Sequence, residues 1–235
     1  QSLPSLETFK TFCETTELNL NSAAVKNHQK HPKGFETITT YMEREFIVPK
    51  EFEKFIYVSQ LLQAQGMKTA IEAHRRAKPY CMGTLFWQLN DCWPVTSWSA
   101  IDFYNTPKAF YYALPDLYDN ILVSVKKDGE NFQVYIVNDD QKEFAGILSI
   151  RIYDFSGKEL LKKNVDVNIS SNSSRSYFSL SPKETKGFSK DKIYLSCQFI
   201  SIGQNINKTA LHYFVTPKEL KLPVVKPHLS YDPAN

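Results

Sequence analysis

Cys81 to Trp98, Cys-Met-Gly-Thr-Leu-Phe-Trp-Gln-Leu-Asn-Asp-Cys-Trp-Pro-Val-Thr-Ser-Trp, is the stretch that most constrains the fold. It opens as an uncharged run rich in apolar and aromatic residues, then breaks into Asn90, Asp91 and Trp93-Pro94, all turn or binding types. A buried parallel strand that delivers a site at its C-terminal end reads this way. All three tryptophans of the chain, Trp87, Trp93 and Trp98, lie inside it. Aromatic rings beside an amide and a carboxylate suit sugar recognition, because the apolar face of a pyranose stacks on a ring while its hydroxyls need donors and acceptors. The competing reading makes all three indoles core packing.

The flanks of this strand predict helices. From Phe52 to Ala77, the residues Phe52, Phe55, Ile56, Ser59, Leu62, Gly66, Ala70 and Ala73 form one stripe at helical spacing, bounded by Pro49 and Pro79. Its small members predict close approach to a neighbour. Glu51 and Glu53 at the start and His74, Arg75, Arg76 and Lys78 at the end complement the helix dipole. Pro107 opens a further short helix through Ala113, and Ser5 opens another carrying Leu6, Phe9 and Phe12. The order is α/β, yet only one parallel strand is convincing, so its sheet partners are expected outside this chain.

After Tyr118 the texture becomes short and alternating. Ile121 to Val125, Phe132 to Val137, Ile147 to Tyr153, Leu160 to Val167, Ser176 to Leu180, Ile193 to Phe199 and Ala210 to Val215 read as strands, separated by turn signals such as Asp128-Gly129 and Ser156-Gly157. Seven short strands predict an antiparallel two-sheet sandwich of immunoglobulin type, without the cysteine pair of an antibody domain. Pro217 to Asn235, rich in Pro and Lys, reads as a linker or tail.

Between these parts, Asn19 to Gly34 is polar and irregular. His28 and His31 stand three apart there, but no third ligand accompanies them and Pro32 keeps the pair out of a regular helix. The four cysteines, Cys13, Cys81, Cys92 and Cys197, lack metal-ligand spacing and read as free thiols. A net charge of +3 over 235 residues does not call for a polyanionic partner, so nucleic acid is not expected. No run approaches the roughly 18 to 20 apolar residues of a membrane span. The opening on Gln1 rather than methionine is expected of a mature product or an excised fragment.

Gly83-Thr84-Leu85-Phe86-Trp87-Gln88-Leu89-Asn90-Asp91-Cys92-Trp93-Pro94, with Ser97-Trp98-Ser99 and Asp102-Phe103-Tyr104, resembles the last barrel strand and following loop of the β-mannosidases of glycoside hydrolase family 2. Gln1-Ser2-Leu3-Pro4-Ser5, Tyr41-Met42-Glu43-Arg44, Gln63-Ala64-Gln65-Gly66-Met67 and Glu72-Ala73-His74-Arg75-Arg76 resemble that family in the same order. The resemblance runs closely from Gln1 to about Tyr112 and extends to the sandwich in type alone. It implies a multidomain α/β plus all-β protein: the C-terminal end of a (β/α)8 TIM barrel over 1–117, an immunoglobulin-like β-sandwich over 118–216, and a linker or tail over 217–235.

It also implies a retaining exo-β-mannosidase acting on terminal β-D-mannose of mannose-containing oligosaccharides, with no cofactor and no metal. Retaining hydrolysis needs two carboxyl groups about 5 to 5.5 Å apart. The family places its nucleophilic glutamate a few residues before the Gln-Ser-x-Pro word, which here starts at Gln1, and its acid/base glutamate further upstream. Neither falls in this chain, so no catalytic residue is assigned and the chain alone is expected to be inactive. What carries over is binding: Trp87 matches the tryptophan that lines the terminal mannose subsite, and Asn90, Asp91 and Trp93 are candidates at its rim. For Asn90 and Asp91 holding the turn is the alternative, and for Trp93 packing. With Trp87 facing the barrel, alternation turns Gly83 and Leu85 inward and Thr84 and Phe86 toward the helices. A non-catalytic carbohydrate-binding or interaction module, or a related exo-glycosidase such as a glucosaminidase, are the alternative functions. A lone barrel strand exposes apolar faces and edges, which predicts self-association of the fragment. A periplasmic, secreted or lysosomal location follows from the resemblance.

Overall fold

A computed structural model of the chain describes residues 1–201 and 203–224. The Ser5 hydroxyl accepts from the Thr8 amide and caps α1 (Leu6–Lys10), satisfying one of the N–H groups that a helix start leaves free. Ser22 caps α2 (Ala23–Asn27) in the same way, so the polar stretch read as irregular contains a short helix. α3 (Gly34–Glu45) follows, with Phe35, Ile38 and Met42 on its buried side. These residues, Leu3, Phe9, Val25, Phe55 and Ile56 make one apolar core.

α4 (Phe52–Arg76) is the long helix that the proline-bounded stripe predicts. Phe55, Ile56 and Ser59 of that stripe are buried in its first half, with Gln63 buried beside them, but the second half departs from it. Ile71, Glu72 and Arg75 are buried there, whereas Gly66, Ala70 and Ala73 are exposed, and a Cβ on Gly66 would touch nothing. The physical reason is a change of neighbour: the C-terminal turns of α4 lie against the β-sandwich, whose polar groups engage Glu72 and Arg75. Of the small residues, Ser59 is buried and accepts from the Leu3 amide at 3.1 Å, the close approach its size allows, whereas Gly66 and Ala70 make none.

Cys81 to Leu89 is extended but joins no ladder, a correction to the predicted parallel strand: among the described residues no strand lies beside it. Its alternation nevertheless survives. Thr84, Phe86 and Gln88 turn toward protein while Leu85, Trp87 and Leu89 are exposed. α5 (Ala109–Leu117) then packs on α4 through Phe110 and Leu117, with Ile71 and Ala100 completing a second core.

All seven strands of the sandwich are present: β1 (Ile121–Asp128), β2 (Asn131–Asn138), β3 (Phe144–Asp154), β4 (Glu159–Ile169), β5 (Ser173–Leu180), β6 (Ile193–Ser201) and β7 (Asn207–Tyr213). They form a three-stranded sheet, β1-β2-β5, and a four-stranded sheet, β4-β3-β6-β7, antiparallel throughout. Alternation decides what faces inward: Leu148, Ile150 and Ile152 on β3 meet Leu195, Cys197 and Phe199 of β6 in one core. Each such side chain contributes about 1.5 to 3 kcal/mol by leaving water. Gly146 has no room for a side chain, because a Cβ would collide with the Ile200 carbonyl and the Phe199 ring.

Arg75 fastens the helical part to the sandwich. Its guanidinium donates to the carbonyls of Leu117 and Asp119, each at 2.7 Å, and to Oδ2 of Asp139 at 2.9 Å. Lys78 pairs with the same Asp139, Lys208 donates to Asp119 at 2.6 Å, and Ser124 on β1 donates to Glu72 at 2.6 Å. The basic end of α4 is thus a buried anchor as well as a dipole complement. Pro217 to Val224 runs back along the molecule, where Lys218 donates to the Glu43 carbonyl at 2.7 Å and Lys221 pairs with Asp191 at 2.7 Å. The remainder of the predicted linker, 225–235, lies outside the described residues.

Candidate functional site

The extended segment ahead of Trp87 is pinned on one side only. Thr84 Oγ1 is 3.0 Å from His74 Nδ1, the Tyr118 hydroxyl donates to the Thr84 carbonyl at 3.1 Å, and the Phe86 ring meets Phe110 edge-on at 5.1 Å. With these residues turned onto α4 and α5, the pleat drives Trp87 to the opposite face, where 74% of its surface is accessible. An indole so exposed is not core packing.

Beyond it the chain makes a tight loop. Ala100 and Ile101 donate their amides to the carbonyls of Gln88 and Leu89 at 3.0 and 2.9 Å, folding the loop back on the segment that carries Trp87. Asp91 lies at its centre, accepting from Ser97 Oγ at 2.8 Å, Ser99 Oγ at 2.5 Å and Gln88 Nε2 at 3.1 Å. Lys108 and Lys30 approach its carboxylate to 3.8 and 3.9 Å. Asp102 does comparable work one turn on, accepting from Ser5 Oγ at 2.9 Å, Thr8 Oγ1 at 2.7 Å and the amides of Tyr104 and Thr106. Burial alone raises the pKa of Asp102, but the donors Thr8, Thr106 and Ser5 outweigh it and hold the carboxyl below the ordinary range. Both carboxylates are thereby spent on structure.

Trp87 and Trp98 border a cleft of about 400 Å³. Its other walls are Thr37, Ile38 and Tyr41 of α3, Leu62, Gln63, Gly66 and Met67 of α4, and Gln1 and His31. Gln63 links the two sides, accepting from Ser2 Oγ at 2.5 Å and donating to the Trp98 carbonyl at 2.8 Å. Of the predicted site residues, only Trp87 lines this cleft. Asn90 is exposed, and its carbonyl accepts from Gln88 Nε2 at 2.7 Å. Asp91 is buried in the loop, so holding the turn is the role its geometry displays, and Trp93 packs beside His28 at 5.1 Å. His28 itself stacks on Phe12 at 3.6 Å and donates from Nδ1 to the Pro94 carbonyl at 2.6 Å, which leaves it committed to packing.

The wall supplied by α3 was not assigned from the sequence, although Phe35, Ile38 and Met42 carry a helical spacing that marks it. Trp98, read as packing, also belongs to the cleft. What this arrangement offers chemically is a ring face with amide and hydroxyl groups nearby, which is a surface for binding. Among the described residues no pair of carboxylates borders it.

Residues 130–219 match the family described as "Mannosidase Ig/CBM-like domain". A solved β-D-mannosidase of Dictyoglomus thermophilum superposes with a TM-score of 0.87 at 32% identity, covering 95% of this chain and 27% of that one. β-Mannosidase B of Aspergillus niger is 27% identical over 189 residues, which are 71% of this chain and 22% of that protein. An exo-chitosanase of Amycolatopsis orientalis shares the fold with a TM-score of 0.75 at 15% identity, over 90% of this chain and 26% of that one. The chain thus spans about a quarter of the length of these proteins.

A helix and loop unit that presents one tryptophan at the end of an extended segment, followed by an immunoglobulin-like sandwich, is the architecture found at the end of the barrel and in the adjoining domain of the multidomain glycoside hydrolases it superposes on. The sandwich match, the 0.87 superposition and the identity to β-mannosidase B all point to the mannosidases within that class. The chain resembles the C-terminal part of the β-mannosidase architecture, and its sandwich matches the mannosidase Ig/CBM-like family.

Proposed function

We propose that the protein to which this chain belongs is a retaining exo-β-mannosidase that releases terminal β-D-mannose from mannose-containing oligosaccharides. In this reading Trp87 supports the sugar ring and glutamates outside residues 1–235 perform the chemistry. The observation that carries it is Trp87 itself, exposed at the end of its segment because Thr84 and Phe86 are held on the opposite side. Mannose is favoured over glucosamine because the mannosidase neighbour is 32% identical and the exo-chitosanase 15%.

Asp91 and Asp102 cannot replace a catalytic pair, since both carboxylates are occupied by hydroxyl and amide donors. The isolated 235-residue chain is therefore expected to leave an aryl β-mannoside intact, while the full-length protein turns it over. Assaying both against aryl β-mannoside and aryl β-glucosaminide tests the reading. Turnover by the isolated chain, or a full-length enzyme that prefers the glucosaminide, would refute it.

A further inference from the structure

The sandwich has a cleft of its own, of about 620 Å³, remote from Trp87. It lies between the tip of the β1–β2 hairpin and the connection from β5 to β6, at the end of β1 away from the Arg75 anchor. An eight-residue strand separates the two ends by roughly 25 Å. Lys127, Lys183, Lys186 and Lys190 stand around this cleft, with Glu130 the one acidic residue among its lining. Their net charge equals the +3 of the entire chain, so the rest of the sequence balances to neutrality.

Two features mark the cluster. The four lysines share one cleft without forming an ion pair among the described residues, and of the carboxylates around it Glu184 is taken by Lys163 and Ser181 and Asp191 by Lys221 and Ser189, which leaves Glu130 alone against them. The walls are aromatic as well as basic. Phe132 and Phe214 meet edge to face at 5.1 Å, and the Lys190 ammonium sits 4.7 Å from the centre of the Phe214 ring. The loop that carries Lys183 is held in shape by a reciprocal cap, Ser181 with Glu184, and by the Thr185 hydroxyl donating to the Pro182 carbonyl at 3.2 Å.

Ammonium groups donate and never accept, so four of them gathered around one cleft favour an anion there. Phenyl walls call for a ligand that also has an apolar face. We infer that this cleft binds an acidic glycan, with uronate carboxylates on Lys127, Lys183 and Lys186 and a pyranose face against Phe132 and Phe214. An extended polyanion such as nucleic acid fits less well, because the four lysines gather around one cleft. This inference goes beyond the glycosidase reading and does not depend on it: a second saccharide site, on the sandwich, selects acidic polymers that the Trp87 site does not.

The test is fluorescence polarisation of a labelled polymannuronate hexamer on the full-length protein, with unlabelled neutral mannohexaose and a short poly-dT strand as competitors. Expected are saturable binding, no competition by mannohexaose, weak competition by poly-dT, and at least roughly tenfold loss of affinity in the triple variant Lys127→Ala, Lys183→Ala, Lys186→Ala with an unchanged melting temperature. The inference is overturned by absence of saturable binding, by affinity that the triple variant leaves intact, by displacement with mannohexaose, or by poly-dT competing as well as unlabelled hexamer. Mannoside turnover enters none of these outcomes, so failure here is separable from failure of the glycosidase reading.

Discussion

Nζ of Lys108 lies 3.8 Å from Oδ2 of Asp91, with 1% of the lysine side chain and none of the aspartate side chain accessible to solvent. Among the described residues the ammonium has no hydrogen-bond acceptor, while the carboxylate has three donors. Asp91 is therefore satisfied and Lys108 is not. Burial lowers the Lys108 pKa to about 8 from its ordinary 10.5, against the raising influence of Asp91 and Asp102, with Lys30 adding to the decrease.

A stability prediction follows from that direction. Between pH 8 and 10.5 the unfolded chain holds the Lys108 proton more tightly than the folded one, so the contribution of this group to stability rises with pH across that window. Urea unfolding of wild type and Lys108→Met at pH 7.5, 8.5 and 9.5 checks it. Wild type should gain on the variant at each step, and a gap that stays flat or narrows would contradict the account.

Arg75 is the corresponding prediction for the junction between the two parts. Arg75→Met leaves the carbonyls of Leu117 and Asp119 without their donor and removes one of the two cations on Asp139. A loss of about 3 to 5 kcal/mol is expected, and Arg75→Lys should recover little of it because one ammonium cannot span three acceptors. Limited proteolysis should then find new cleavage between Leu117 and Ile121. Unchanged stability and unchanged proteolysis would remove the anchoring role.

The cysteines divide by burial. Cys92 is exposed and Cys81 half-buried, whereas Cys13 and Cys197 are buried, and burial pushes the Cys197 thiol up to about 12. A thiol reagent at pH 8 should label Cys92 first and Cys81 more slowly. Cys13 and Cys197 should react only after unfolding, as mass spectrometry of labelled peptides would reveal.

Tyr80, Met82, Leu85, Trp87 and Leu89 leave a run of large apolar side chains open on the extended segment. We propose that the isolated chain buries this run against a second copy. Light scattering should give a mass well above 27.1 kDa, lowered by Met82→Glu with Leu85→Glu. A monodisperse monomer of the unmodified chain would contradict it.

The sandwich was legible in the sequence because its signal is local: β3 alternates Leu148, Ile150 and Ile152 against outward residues, and that pattern suffices to set which face is buried. The end of α4 was not legible. Its burial is decided by partners about forty to seventy residues away, Leu117, Asp119, Ser124 and Asp139, so a stripe of small residues pointed to the wrong face. The segment from Cys81 to Leu89 had the composition of a strand, but a strand is a pairing, and no neighbour lies beside it among the described residues. At the candidate site, Trp87 was marked by the resemblance, as the match to the family tryptophan that lines the terminal mannose subsite. Asp91 looked equally suited to a ligand or a turn, and only the convergence of Ser97, Ser99 and Gln88 on its oxygens distinguishes the two.

The central claim is that the indole of Trp87 forms a wall for the terminal mannose, and the kinetics of Trp87→Ala in the full-length protein test it most directly. Because the side chain is 74% exposed, its removal should leave the melting temperature within about 1 °C of wild type. It should raise KM and lower kcat on an aryl β-mannoside, for a combined loss of about a hundredfold in kcat/KM. A variant with wild-type kcat/KM, or one whose loss of activity is matched by a collapse in melting temperature, would contradict the account.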